Sequence, residues 1–129
     1  MRATNAGVTV AFLAAVAIEN ASTMAHADGD AARGELRFAD CAACHSLAPG
    51  TNNIGPSLAG LFGRRAGTIA DFRYSPAMRR SGITWAPQML DEFIADPQKL
   101  VPANRMPYSG MPNAADRADL ITYLEKAVK

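Results

Sequence analysis

The chain has 129 residues, of which 13 are basic and 12 acidic, so its formal net charge at pH 7 is +1. This balance does not indicate nucleic-acid binding, which rests on many cationic contacts to phosphate groups. The length and the 49% hydrophobic content fit one small globular domain and leave no room for a second.

The N-terminal region has the pattern of an export signal. Its parts are a positive residue, Arg2, an apolar run, Ala6–Ile18, and two small residues in an A-x-A arrangement, Ala25 and Ala27. We therefore expect residues 1–27 to be a signal peptide cleaved after Ala27, with residues 28–129 as a single periplasmic domain. The apolar run is shorter than the roughly twenty residues of a membrane-spanning helix, but retention of the leader as an anchor stays an alternative.

Capping residues and apolar spacing predict four helices in chain order. The first is capped by Asp28 or Asp30 and has an apolar face of Ala32, Leu36, Ala39 and Ala43, and the second is a short helix over 76–81 capped by Ser75. The third begins at Pro87 and has on one face Met89, Leu90, Phe93 and Ile94. The fourth is capped by Asn113 and carries Leu120, Ile121, Leu124, Ala127 and Val128. Pro97 is expected to end the third of these helices.

The segment from Leu47 to Asp71 contains five glycines and two prolines and has no apolar period, which predicts a long loop. No segment alternates polar and apolar residues over the length of a strand. The fold class is therefore predicted to be all-α, with about four to five helices and long loops. Loops of this length in so small a domain indicate that a buried group organises them.

The motif with the clearest chemistry is Cys41-Ala42-Ala43-Cys44-His45, which has the C-x-x-C-H spacing of covalent haem attachment. Residues three apart on a helix project to the same side, so both thiols can bond to one porphyrin. His45 follows directly and can ligate the iron. The predicted cofactor is one covalently bound haem c.

Three other uses of the two cysteines are weaker. A zinc site needs a fourth ligand, and outside the leader the chain has no other cysteine or histidine. A thiol–disulfide oxidoreductase would place the motif in a βαβ unit, which the sequence does not indicate. A disulfide between residues three apart closes too small a loop to stabilise the fold much.

A second iron ligand would have to come from a distant part of the chain. The candidates are the soft thioethers of Met78, Met89, Met106 and Met111. Met89 lies on an apolar helix face, which favours a packing role. Met106 and Met111 both lie in an irregular stretch with prolines, and the residues alone leave both open with a slight preference for Met106.

The predicted domain resembles mitochondrial cytochrome c and its bacterial relatives over almost its whole length. The matching segments, in family order, are 34–38, Gly55–Leu58, Leu61–Arg64, Gly82–Trp85 and Pro102–Met106. The resemblance implies a class I cytochrome c fold wrapped around the haem. It also implies that His45 and Met106 are the metal ligands.

Further roles are implied by the same resemblance. Pro56 would accept a hydrogen bond from His45. A buried haem propionate would lie near Tyr74, Trp85 and Arg64, and Asn104 would place an amide near a propionate where the family usually has threonine. The contact between the terminal helices would be formed by Gly34, Phe38 and Tyr123. Met78 and Phe93 replace an asparagine and a tyrosine of the family's internal water network. We therefore expect a drier distal side.

The resemblance implies an electron carrier that cycles iron between Fe(II) and Fe(III) and is not an enzyme. Its partners would be redox proteins, with a monomeric domain that meets a membrane only through partner complexes. The family's ring of lysines is largely missing, with Asp40 next to the haem motif and Gln98 where a lysine is common, so docking to a strongly acidic partner is not favoured. The alternatives are a dedicated electron-transfer subunit of a periplasmic oxidoreductase or a peroxidase-like haem enzyme.

Overall fold

The computed structural model describes residues 28–129, so the predicted signal peptide lies outside the described residues. The helices are α1 (Ala31–Ala42), α2 (Pro76–Arg80), α3 (Pro87–Ala95), α4 (Pro97–Leu100) and α5 (Ala114–Ala127). Over residues 28–129 the only β-structure is an isolated bridge between Arg65 and Thr84. The predicted all-α class with long loops is confirmed. No helix in this part of the chain is long and apolar enough to cross a membrane.

Three of the helices begin at side-chain caps that the sequence predicts. The Asp30 carboxylate accepts the backbone N–H groups of Ala32 and Arg33 at the start of α1. Ser75 caps α2, and Asn113 caps α5 through its side-chain oxygen. Each cap satisfies N–H groups that have no partner inside the helix, which fixes where the helix starts.

The buried face of α1 differs from the prediction. The helix buries Gly34 and Phe38, whereas Leu36 is 77% exposed. The other members of the predicted apolar face are also exposed, namely Ala32, Ala39 and Ala43. The prediction was wrong because glycine contributes nothing to an apolar pattern, although its lack of a side chain decides here which face can approach a neighbouring helix.

Helix α1 crosses α5 at Gly34. A Cβ atom at this position would clash with the carbonyl oxygen of Asp119 and would lie 2.7 Å from the Cβ of Tyr123. The rings of Phe38 and Tyr123 pack beside this point with their centroids 5.6 Å apart. The contact between terminal helices implied by the resemblance is therefore confirmed, and it sets the end of α1, with Cys41, beside α5.

Helix α3 packs against α5 through the apolar face that its spacing predicts. Leu90, Phe93 and Ile94 are buried. Pro97 ends α3, as expected, but it also begins the one-turn helix α4, which the sequence analysis did not predict. The Asp96 carboxylate caps this turn by accepting the N–H of Lys99 at 3.1 Å, so the same two residues that stop one helix start the next.

An ion pair between the exposed Arg33 and the buried Asp119 reinforces the α1–α5 crossing. The Arg33 guanidinium contacts both carboxylate oxygens of Asp119, at 2.7 Å and 3.0 Å, and the backbone N–H of Asp30 donates to the same carboxylate at 2.6 Å. The Asp119 side chain is only 5% exposed. The hydrogen bond from Arg33, followed by that from the Asp30 backbone, lowers the pKa of Asp119 below its ordinary value of 3.8.

We predict that Asp119→Asn destabilises the protein near neutral pH and has little effect in strong acid. Because the folded-state pKa lies below 3.8, the stabilisation is fully present above that pH and is lost as the pH falls through the folded-state value. Urea unfolding midpoints of the variant and the wild type should differ near neutral pH and converge in acid. Asp71→Asn, at an exposed position, is the control. A gap that stays constant with pH would contradict the assignment.

Candidate haem site

A largely apolar cavity of about 320 Å³ lies between the end of α1, helices α3 and α5, and the surrounding loops. All nine residues that the sequence analysis assigned to the cofactor line it: Cys41, Cys44, His45, Pro56, Arg64, Tyr74, Trp85, Asn104 and Met106. Its apolar walls come from Leu90, Phe93 and Ile94 of α3 and from Leu120 and Leu124 of α5. One cavity therefore brings together residues from every part of the domain.

The two cysteines stand at the end of α1, as the spacing predicts. The carbonyl of Cys41 accepts the N–H groups of Cys44 and His45 at 3.0 Å and 2.9 Å, which closes the last turn. Both cysteines are free thiols and partly buried. Burial, with the nearby charges of Asp40 and Cys44, raises the pKa of the Cys41 thiol to about 11, so in the chain without haem this thiol is protonated near neutral pH.

The imidazole of His45 is held in one orientation. Its Nδ1 lies 2.7 Å from the carbonyl oxygen of Pro56, the contact that the resemblance implies. Because a carbonyl oxygen can only accept a hydrogen bond, Nδ1 carries the hydrogen. The lone pair of Nε2 is then available to a metal, and the hydrogen bond makes the imidazole a more basic ligand.

Gly55 forms the surface against which this imidazole packs. A Cβ atom at Gly55 would clash with Cε1 of His45 and lie 2.7 Å from its Nδ1. The N–H of Gly55 donates to the carbonyl of Cys44 at 2.8 Å, so the loop is tied directly to the motif. Gly55 has no role of its own among those predicted from the sequence. The Gly-Pro pair was the available signal, because a ring can pack on backbone only where no side chain intervenes.

The side chains of Asn52 and Ser57 hold the same loop in place. The Asn52 side-chain oxygen accepts the N–H of Ser57 at 2.9 Å, and the Ser57 hydroxyl donates to the carbonyl of Ala48 at 2.7 Å. Neither residue was identified from the sequence, because polar side chains in a glycine-rich loop have no periodic pattern that predicts their partners. Their hydrogen bonds hold the loop so that the Pro56 carbonyl lies within hydrogen-bond distance of the His45 imidazole.

Polar groups gather on one side of the cavity. Arg64 donates to the carbonyls of Ala59 and Ser57 at 2.6 Å and 3.1 Å, and burial lowers the pKa of its guanidinium. The indole of Trp85 is buried edge-on against Phe93, with ring centroids 5.1 Å apart. All fully buried side-chain nitrogen and oxygen atoms of residues 28–129 have hydrogen-bond partners. The Trp85 side chain is among those that line the cavity.

Asn104 lines the cavity, but its amide is engaged with the backbone. Its side-chain N–H groups donate to the carbonyls of Pro97 and Val101 at 2.8 Å and 2.9 Å, and its side-chain oxygen accepts the N–H of Met106 at 2.9 Å. Contact with a haem propionate would require this amide to give up one of these bonds. The structure thus places Asn104 in a turn that supports Met106.

The methionines separate into two groups. Met106 and Met78 line the cavity, whereas Met89 and Met111 do not. Met111 is 7% exposed and is fixed in the core, because its N–H donates to the carbonyl of Ile94 at 2.7 Å and its own carbonyl accepts from Arg117 at 2.9 Å. Met78 belongs to the buried core on α2 and, with Phe93, gives the cavity an apolar wall, as expected of a dry site.

The features of this cavity fit a covalent haem. It offers two neighbouring thiols, an imidazole with a free Nε2, a thioether, apolar walls, an indole and a guanidinium. Within residues 28–129, no group of three or more His, Cys, Asp or Glu side chains is arranged to hold a metal ion by itself.

Comparisons with known proteins agree with this geometry. The sequence profile of the cytochrome c family matches residues 31–127. Cytochrome c2 iso-2 of Magnetospirillum fulvum is 47% identical over 88 residues, which cover 68% of this chain and 92% of that protein. Cytochrome c2 of Blastochloris viridis is 44% identical over 107 residues, or 82% of this chain and 84% of that protein.

A solved structure shows the same architecture. Cytochrome cH from Methylobacterium extorquens superposes with a TM-score of 0.72 at 41% identity, and the match covers 76% of this chain and 99% of that chain. The fold and site therefore define a haem-binding electron-transfer protein. The chain belongs to the cytochrome c family, as a class I member with one covalent haem c.

The family assignment confirms the predicted cofactor and class of activity. Members are electron carriers rather than enzymes, and they exchange electrons with redox partner proteins. The two cysteines of the motif are the residues in this chain that can supply the thioether bonds.

We predict that Gly55→Ala lowers the yield of haem-containing protein and changes its iron coordination. The added methyl group would collide with the His45 ring, and overpacking of this kind forces the ring or the loop to move. The measurement is the ratio of haem absorbance to total protein after export, together with the spectrum. Thr51→Ala is the control, since Thr51 is an exposed position in the same loop and replacing it adds no atom near His45. Equal yields for both variants would contradict the role given to Gly55.

Proposed function

We propose that this protein is a periplasmic, monomeric single-electron carrier in which His45 and Met106 are the two axial ligands of the haem iron. The observation that carries the proposal is the placement of both side chains on the one cavity that also contains the two motif thiols. A ligand set of one imidazole and one thioether suits a carrier, because both iron positions stay filled in each oxidation state.

The choice of Met106 is supported by its surroundings. Its segment is irregular, its thioether is partly buried, and it borders the cavity. Met111 lies in the core outside this cavity, and the hydrogen bonds that its N–H donates and its carbonyl accepts hold its backbone there. Met78 is on the short helix α2, whose N-terminal cap at Ser75 holds its backbone N–H at 3.0 Å.

When bound, the haem supplies the Fe(II)/Fe(III) couple, and the chain's own residues set the conditions under which it works. The apolar walls formed by Met78, Phe93 and the leucines of α5 exclude water. A thioether ligand and burial both favour the ferrous state and therefore raise the reduction potential. We propose that Tyr74, Trp85 and Arg64 stabilise a buried propionate, whose charge the guanidinium would balance.

The surface at the cavity mouth supports partners that dock with few ionic contacts. Ile54 borders the cavity and is 73% exposed, and Asp40 lies at the same edge. The exposed residues Arg73 and Arg105 also line the cavity, so its surface presents apolar area with charges of both signs. It lacks the uniformly cationic rim that would favour long-range steering. We therefore propose transient association with redox proteins whose own docking faces are only weakly charged.

We predict that Met106→Ala removes the sulfur-to-iron charge-transfer band of the ferric protein and lowers its reduction potential. The loss of the thioether removes a ligand that favours ferrous iron and opens a coordination position to water or peroxide. Absorption spectroscopy and potentiometry are the measurements, and peroxidase activity should rise.

Met111→Ala is the matched control for that variant. It also removes a methionine side chain, but from the core, and should lower the free energy of unfolding by about 2–5 kcal/mol. The charge-transfer band should persist. If the band survives in Met106→Ala and disappears in Met111→Ala, the proposed ligand is wrong.

The proposed export and attachment are tested by mass. Protein recovered from the periplasm should have the mass of residues 28–129 plus one haem, because we propose cleavage after Ala27 and two thioether bonds. Intact-mass spectrometry is the measurement. A mass that includes residues 1–27 would show that the leader is retained, and haem that dissociates in acidic organic solvent would show that the bonds are absent.

A further inference from the structure

The segment before Met106 forms a compact hydrogen-bonded turn centred on Asn104. This residue is 7% exposed, and both of its side-chain N–H groups and its side-chain oxygen make hydrogen bonds. Its N–H groups reach back to the carbonyls of Pro97 and Val101, which are the first and the capping residue of α4. Its oxygen reaches forward to the N–H of Met106. The side chain thus joins α4 to the Met106 backbone.

Main-chain bonds add to this turn. The N–H of Asn104 donates to the carbonyl of Val101 at 3.1 Å, and its carbonyl accepts from the Gln98 side chain at 3.1 Å. Ala103, which lies between Val101 and Asn104, has a φ of 65°, the left-handed conformation that residues other than glycine rarely adopt. Such a conformation persists only where the surroundings enforce it. The bonds of Asn104 on either side supply that enforcement.

We propose that Asn104 is a positioning residue that controls how readily the Met106 thioether leaves the iron. This inference rests on the proposed ligation by Met106 and extends it. If the turn opens, the Met106 N–H loses its hydrogen bond to the Asn104 side chain, and Ala103 can relax to an unstrained conformation. The backbone strain at Ala103 therefore favours the open loop, whereas the hydrogen bonds of Asn104 favour the closed loop and outweigh that strain.

The proposal makes the opening of the loop measurable through competition. Exogenous imidazole can bind ferric iron only where the thioether has left, so its apparent affinity scales with the open population. Removing two or three hydrogen bonds from the closed state should raise that population about ten-fold or more. Asn104→Ala should therefore bind imidazole at least about ten-fold more tightly than wild type, and the charge-transfer band should persist without imidazole.

Asn113→Ala is the matched control. Its side-chain oxygen also accepts two backbone N–H groups, at 2.8 Å and 3.2 Å, but at the start of α5, away from the cavity lining. It should lower global stability in urea while leaving imidazole affinity within about two-fold of wild type. An equal gain in imidazole affinity in both variants would show that Asn104 acts only through global stability, and would overturn the proposal.

A milder variant guards against a failure to fold. Asn104→Thr keeps an oxygen that can accept the Met106 N–H but loses one donor, so its imidazole affinity should lie between wild type and Asn104→Ala. An imidazole affinity equal to that of wild type in both Asn104→Thr and Asn104→Ala would overturn the positioning role. The failure of the ligand assignment looks different: the band would then be absent from wild type or would survive in Met106→Ala, whatever Asn104 does.

Discussion

The close crossing of α1 and α5 at Gly34 is the constraint on which the site depends. Because no side chain separates the two backbones there, the end of α1 comes to rest beside Leu120 and Leu124. The motif cysteines then face a cavity whose walls are already set by α5 and by α3, which packs on α5 as well. The ion pair between Arg33 and the buried carboxylate of Asp119 restricts the rotation of α1 about its axis. A change in that rotation would carry both thiols away from the cavity.

The two side chains proposed as axial ligands are held by different physical means. His45 follows the attachment motif directly, and one hydrogen bond to Pro56 together with contact on Gly55 is enough to orient it. Met106 is 61 residues further along the chain and has no helix to hold it. Its position depends on a turn that contains a strained alanine and a fully engaged amide. The histidine side is therefore the rigid side of the site, and the methionine side is the one that can open.

Much of this structure could be predicted from the sequence, and the failures have physical reasons. Caps at Asp30, Ser75 and Asn113 fixed three helix starts, because they depend only on neighbouring residues. The nine residues assigned to the cofactor from the attachment motif and the resemblance all line one cavity. The face of α1 was predicted wrongly because its orientation depends on the fit of Gly34 against a helix far along the chain, which apolar spacing does not report.

The second kind of failure concerned single polar side chains. Helix α4 and the engagement of Asn104 were missed for the same reason: each depends on which carbonyl a short polar side chain reaches in a proline-rich stretch. The resemblance suggested a propionate for this amide because the family usually has a hydroxyl there. An amide has two donors and one acceptor within a wider reach, so it can satisfy the backbone on both sides of itself, and here it does.

The order of elements along the chain also bears on assembly. The bonds that join α1 to α5 connect residues 86 and 89 positions apart, so the first helix has its packing partner only when the last one has been made. Closing a loop of this length is entropically costly, which makes the contact between the terminal helices expensive to form. Until that contact forms, the Cys41–His45 segment at the end of α1 is not held against α5. Docking of the last helix is thus the step that brings the motif thiols to the wall formed by Leu120 and Leu124.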